Sequence, residues 1–240
     1  MLCTKTWKDA SVGRHVHEHA EFEGIKTEYM ETTTGTRPAP QAFLIEQKPG
    51  WTVRPHFHMR HQFQLVVAGG GTLGRHEVSP FEVHYATPES AYGPVVAGPS
   101  GLSYFTLRAM NDNRNYYMPE GRVQMQPGLT KQQFTGHATL PPQLQFQSVK
   151  ISECFPSTPN GVAAWMVCVP PGVVVQAPSH PNGGGRFHIV AQGGMVLSEQ
   201  KYGKLSVIWA SGEDELTEFA AGPEGLALVV MQYPAEALRV

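Results

Sequence analysis

Two histidines, His56 and His58, stand two residues apart within Pro49 to Gly71, PGWTVRPHFHMRHQFQLVVAGGG. In an extended strand, residues i and i+2 project to one face, so both imidazoles can reach a single point. A metal ion asks the same of its first two ligands. His56 and His58 are candidate metal ligands, and the amide of Gln62 follows four residues on. Two neutral imidazoles and an amide carry no negative charge, so a divalent ion is held more weakly than with a carboxylate. A fourth donor is sought in Tyr92, His84 or His61. His61 differs in parity from Gln62, so a regular strand turns it to the opposite face. Gln64 shares the face of Gln62, with Val66 after it. Two inward amides need partners, because an unpaired buried polar group costs about 1–3 kcal/mol. They point to a polar pocket, with Tyr92, Gln64 and His84 as candidate catalytic residues. The alternative is that His56 and His58 line a pocket without binding metal.

The other histidines read differently. Arg14 to His19, RHVHEH, places His15, His17 and His19 on one face of an extended segment, and an exposed polar strand or arm accounts for them. His76 and His137 lie in turn-like or linker text and belong to the surface.

The elements that must position these groups are strands. The chain has 240 residues, 41% hydrophobic, with a net charge of −2. That suffices for one large or two small β domains. There is no basic stripe of the kind nucleic-acid binding needs. No stretch approaches the ~18 apolar residues of a membrane helix. The N-terminus lacks the apolar run of a secretory signal, which makes the cytoplasm the default. Cys3, Cys154 and Cys168 match no zinc spacing and read as reduced bystanders. Apolar runs at Ala42–Glu46, Gln62–Ala68, Val83–Ala86 and Leu102–Arg108, separated by Gly, Pro and Ser breaks, predict an all-β sandwich or barrel with few helices.

The first half then recurs. His56 reappears 124 residues on as His180, Phe63 as Phe187, Gly69-Gly70 as Gly193-Gly194, and Ala97-Gly98-Pro99 as Ala221-Gly222-Pro223. A constant offset through separate landmarks means two similar domains. We expect an N-terminal arm over 1–40, with an irregular connection at 36–40, a first barrel over 41–110, a linker over 111–140 and a second barrel over 141–240. In the second copy His58 becomes Asn182 and Gln62 becomes Arg186, which repels a cation. The second barrel is expected to be metal-free. Arg186 and His188, sharing strand parity, could there receive an anionic group.

Gly50-x5-His56-x-His58-x3-Gln62-x6-Gly69 resembles the first motif of the cupins, G-x5-H-x-H-x3,4-E-x6-G, and Tyr85 to Gly93 occupies the place of the second, P-x-G-x2-H. The resemblance covers about residues 41–109 and, more weakly, 161–233. It implies a bicupin of the quercetinase-like type: two double-stranded β-helix (jelly-roll) barrels. A family site shows three histidines and a carboxylate; here Gln62 replaces the carboxylate, and Tyr92 or Gly93 the third histidine. By resemblance, the expected cofactor is a divalent Fe, Mn, Ni, Zn or Cu ion. The expected activity is a metal-dependent dioxygenase acting on a small carbonyl, enol or aromatic substrate in the first barrel. An isomerase or lyase using the same cation would show the same residues. A metal-free small-ligand binder and a structural bicupin are the rivals. A homodimer is also implied by resemblance; neither nucleic acid nor membrane is an expected partner.

Overall fold

The computed structural model describes residues 1–30, 39–142, 144, 147–212 and 218–239. Two compact units emerge, one of residues 11–136 and the other of residues 1–10 with 137–240. Each is a rolled antiparallel sheet, so the fold is the expected pair of β barrels. Helix is confined to Trp7–Ala10 and three short 3-10 turns among the described residues.

In the 11–136 unit the strands run side by side as Gln133–His137, Glu82–Ala86, Gln62–Leu73, Val95–Arg108, Gln41–Gln47, Phe22–Met30 and His15–His19. The central pair, Gln62–Leu73 with Val95–Arg108, is long because each strand bends rather than stops. The bend is a glycine effect. Gly69 has φ +73°, and a Cβ there would stand 2.2 Å from the carbonyl oxygen of Gly101 on the paired strand. A side chain would push the two backbones apart, so glycine is needed for the approach as well as for the dihedral.

The other unit repeats this construction with Gly183–Leu197 and Phe219–Pro234 as the central pair. Phe63 opposes Leu107 in one unit, and Phe187 opposes Met231 in the other. Gly69 opposes Leu102, and Gly193 opposes Leu226, so the 124-residue offset holds in the register itself. Gly193 has φ +72°, and its Cβ would meet the carbonyl oxygen of Gly225 at 2.1 Å.

The interiors differ. The second barrel is filled by apolar side chains, including Val190, Met195, Ile208, Leu226, Leu228 and Val230. The first has an apolar floor of Val66, Leu73, Val78, Val95 and Leu102, and a polar upper layer.

Residues 1–40, read from the sequence as one arm, divide. Leu2–Lys5 pairs with Val207–Ala210 in the sheet of the 137–240 unit. His15–His19 and Phe22–Met30 form the far edge of the first sheet, joined to it through Gln41–Gln47. Of the connection expected at 36–40, residues 36–38 lie outside the described residues. The stretch read as linker, 111–140, also contributes structure, since Tyr116–Tyr117 pairs with His56–Phe57. Its polar composition hid a role that depends on backbone pairing.

Candidate functional site

Alternation along the central strands builds the polar layer. Gln62, Gln64 and Val66 face inward on one strand, and Tyr104, Thr106 and Arg108 on its neighbour. Register sets Thr106 opposite Gln64 and Tyr104 opposite Val66. On the far side Arg108 opposes Gln41 and Thr106 opposes Phe43. Each step toward the mouth therefore exchanges apolar side chains for polar ones.

His56 and His58 come from the short segment above this layer. His56 is held by reciprocal backbone bonds with Tyr92, at 3.1 and 3.0 Å, and its neighbour Phe57 stacks on Tyr116. The two imidazoles are buried, with ring centroids 5.2 Å apart and planes nearly perpendicular. Each Nδ1 meets a backbone carbonyl at 2.8 Å, His56 that of Arg54 and His58 that of Arg114. A carbonyl accepts, so Nδ1 carries the proton in both rings and Nε2 keeps its lone pair. The carbonyl of Arg114 is brought there by Asp112, whose carboxylate accepts from the Met59 and Arg114 amides at 2.7 and 3.1 Å.

Gln62 is fixed from both ends. Its Nε2 donates to the Tyr92 hydroxyl at 2.7 Å, and its Oε1 accepts from the Arg108 guanidinium at 2.6 Å. The same guanidinium nitrogen lies 3.1 Å from His58 Nε2. The other terminal nitrogen of Arg108 donates to Gln41 Oε1 and to the Asp112 carbonyl. Arg108 is 3% exposed.

Burial and that buried cation set the protonation states. Burial pushes His56 down to about 4, and Arg108 adds to the effect while the Arg54 carbonyl opposes it. His58 is held well below the usual range by burial, then by Arg108 and by His56. Tyr92 is pushed up to about 12 by burial, with Arg108 and the Gln62 bond pulling the other way. At neutral pH the site therefore presents two neutral imidazoles, a neutral phenol and one guanidinium.

These groups line a cavity of ≈ 360 Å³. His17, His19 and Lys26 also line it, and Tyr117 lies against His56 at 5.7 Å between ring centroids. Of the residues singled out from the sequence, His56, His58, Gln62, Gln64 and Tyr92 come together on this cavity. His84 stands behind Gln64, its ring nitrogens 3.3 Å from the amide oxygens of Gln64 and Gln133, and is outside the cavity lining. His61 faces away and meets the Tyr85 hydroxyl at 2.5 Å, as its parity required. His76 and His137 are exposed. Of the exposed arm, His17 and His19 reach the cavity and His15 does not line it.

Sequence reasoning missed Arg108, Asp112 and Tyr117. For Arg108 a signal existed: Leu102, Tyr104, Thr106 and Arg108 alternate along a strand that had been recognised, and an arginine ending an inward row has to be explained. Asp112 and Tyr117 act through a loop and a two-residue strand, which leave no periodic trace.

The residues do not fit a divalent ion as they stand. Among the described residues no three His, Cys, Asp or Glu side chains converge to hold one. Of the three expected donors, Gln62 Oε1 already accepts from Arg108, and His58 Nε2 faces the same positive group. Metal–imidazole bonds require about 2.0–2.1 Å to nitrogen, with positive charge kept away. In the second barrel, the two residues read as a receptor for an anionic group are placed differently from each other. Arg186 donates to the Pro178 carbonyl at 3.1 Å, and His188 is fully buried on the strand face that carries the apolar core.

No protein-family model matches the sequence, and no curated protein matches it either. Solved structures do resemble the fold. The bacterial pirin YhhW from Escherichia coli, determined in complex with nickel(II), superposes with a TM-score of 0.60 at 10% identity, over 98% of this chain and 99% of its own. A Bacillus subtilis oxalate decarboxylase studied for its Mn(II) centres gives 0.60 at 13%, over 97% and 77%. A putative dioxygenase from Nostoc punctiforme gives 0.62 at 11%, over 99% and 80%. At such identities the likeness establishes the cupin-type fold.

Proposed function

We propose that the first barrel binds a small organic molecule through a carbonyl, enol or carboxylate oxygen, and that the site favours chemistry in which negative charge gathers on that oxygen. One observation carries this reading. His56, His58, Gln62, Gln64, Tyr92 and Arg108, all of them buried, converge around an open cavity in the first barrel. Buried polar groups aimed at a cavity are the usual signature of a ligand site.

The roles follow from hydrogen-bond inventory. The Tyr92 oxygen accepts from Gln62, which leaves its own proton to donate. The Nε2 atom of His56 accepts, so it suits a ligand hydroxyl or an acidic C–H beside the carbonyl, while His58 Nε2 already faces the Arg108 guanidinium. A proton abstracted there and a phenol on the oxygen would together serve an isomerase or lyase reaction on an enolisable compound.

The metal-dependent dioxygenase implied by the cupin resemblance has one feature in its favour, the two Nδ1-anchored imidazoles, an arrangement that metal-binding histidines share. His56, His58 and Gln62 would be the residues to hold the ion, and Arg108 stands against it.

A thermal-shift screen of small keto acids, diketones and hydroxylated aromatics tests the ligand reading. A compound binding at 100 times its Kd stabilises by about 2.7 kcal/mol, a readily measured rise in Tm. The expected result is a shift that is lost in Tyr92→Phe and His56→Ala. An unchanged Tm across the panel, or a shift kept by both variants, would contradict it.

A further inference from the structure

We propose that Arg108 takes the place a metal ion would have here: its guanidinium is the built-in cation of the first barrel, and its charge reaches the bound oxygen through Gln62 and Tyr92. The inference rests on the ligand reading above and specifies how that ligand is recognised. Arg108 donates to Gln62 Oε1 at 2.6 Å, and Gln62 Nε2 donates to the Tyr92 hydroxyl at 2.7 Å. Hydrogen bonds in a chain polarise one another, so a positive charge at one end makes the final O–H a stronger donor. The remaining terminal nitrogen of Arg108 is committed to Gln41 and the Asp112 carbonyl, which fixes the guanidinium in the barrel wall. Arg108 is thus a positioning residue, and Tyr92 is the group that touches the ligand.

The same contacts explain why an ion is excluded. Gln62 Oε1 is engaged by a cation, and His58 Nε2 lies 3.1 Å from that cation. The ligand class that follows is a compound whose oxygen carries or develops negative charge, an enolate or carboxylate, held by a phenol rather than by coordination.

The simpler alternative is that metal is disfavoured merely because Gln62 replaces a carboxylate. Titration with cobalt(II), read by the visible bands of an imidazole-bound ion, separates the two on the full-length chain without its ligand. Wild type and Gln62→Glu should both leave cobalt unbound, because the new carboxylate pairs with Arg108. Arg108→Gln, and more so Gln62→Glu with Arg108→Gln, should gain at least tenfold in cobalt affinity, and His56→Ala should abolish the gain. Cobalt binding by wild type, or by Gln62→Glu alone, would overturn the inference, and so would a folded Arg108→Gln that gains nothing. The Gln62→Glu result decides even if Arg108→Gln does not fold. None of these outcomes alters the thermal-shift test, so failure here is distinct from failure of the ligand reading.

Discussion

His188 is fully buried in the second barrel, and among the described residues neither ring nitrogen has a hydrogen-bond partner of ordinary geometry. It stands where Gln64 stands in the first barrel, 124 residues earlier. Burial pushes it down to about 3, with Arg186 adding to the shift and the Ile208 backbone opposing it. The unfolded chain therefore takes up a proton below about pH 6.5 that the folded chain refuses, and stability falls as pH drops from there toward 3. By pH 5 the loss is about 2 kcal/mol for this residue alone. His56 and His84, both pushed down to about 4, act in the same direction. His188→Leu should match or exceed wild-type stability at pH 7 and widen its advantage by about 2 kcal/mol at pH 5, measured by urea denaturation. An advantage that does not grow with acid would show that the buried ring is not the source. The legibility of the site also divides at this scale. His56, His58 and Gln64 were readable from spacing and parity, and Gln62 and Tyr92 from the places they occupy in the cupin resemblance. Arg108 was readable in principle from its inward parity. Asp112 was not, because its work is done on backbone amides that a sequence does not display.

At the scale of elements, the long bent strand pairs hold the barrels together, and their glycines are testable separately. Gly69→Ala would meet both an unfavourable φ and a backbone oxygen 2.2 Å away. Gly50 has the same φ of +73° with nothing within 4 Å of its Cβ position. Gly50→Ala should then cost about 1–2 kcal/mol, the dihedral alone, and Gly69→Ala roughly 3 kcal/mol or more. Equal losses in chemical denaturation would mean that the close approach at Gly69 is relieved cheaply. The strands themselves were legible: Gln41–Gln47, Gln62–Leu73, Glu82–Ala86 and Val95–Arg108 all contain the runs expected from the sequence. What periodicity missed was length. Bends at Gly69 and Gly101 look like strand ends in a one-dimensional reading, because glycine ends strands as often as it bends them.

At the scale of the whole molecule, the two barrels share a plan and differ in what fills them. The 124-residue repeat was legible because paired strands with a fixed register tolerate no insertion between landmarks. The allocation of the N-terminus was not, because Leu2–Lys5 joins a sheet whose other strands lie more than a hundred residues away. Deleting residues 1–5 should expose the edge strand Val207–Ala210, where Trp209 is 1% exposed. Hydrogen exchange should then show lost protection at Val207–Ala210 and unchanged protection in Gln62–Leu73. Equal loss in both places would mean that the N-terminal strand supports the whole chain rather than one unit.

Whether the positive charge of the first barrel comes from a side chain or from an ion is decided most directly by elemental analysis of the full chain, purified without a histidine tag. Arg108 on Gln62 and His58 predicts transition metal far below one equivalent, with no change in His56→Ala. Near one equivalent of iron, manganese or nickel, lost in His56→Ala, would contradict it and restore the metal-dependent reading of the same two histidines.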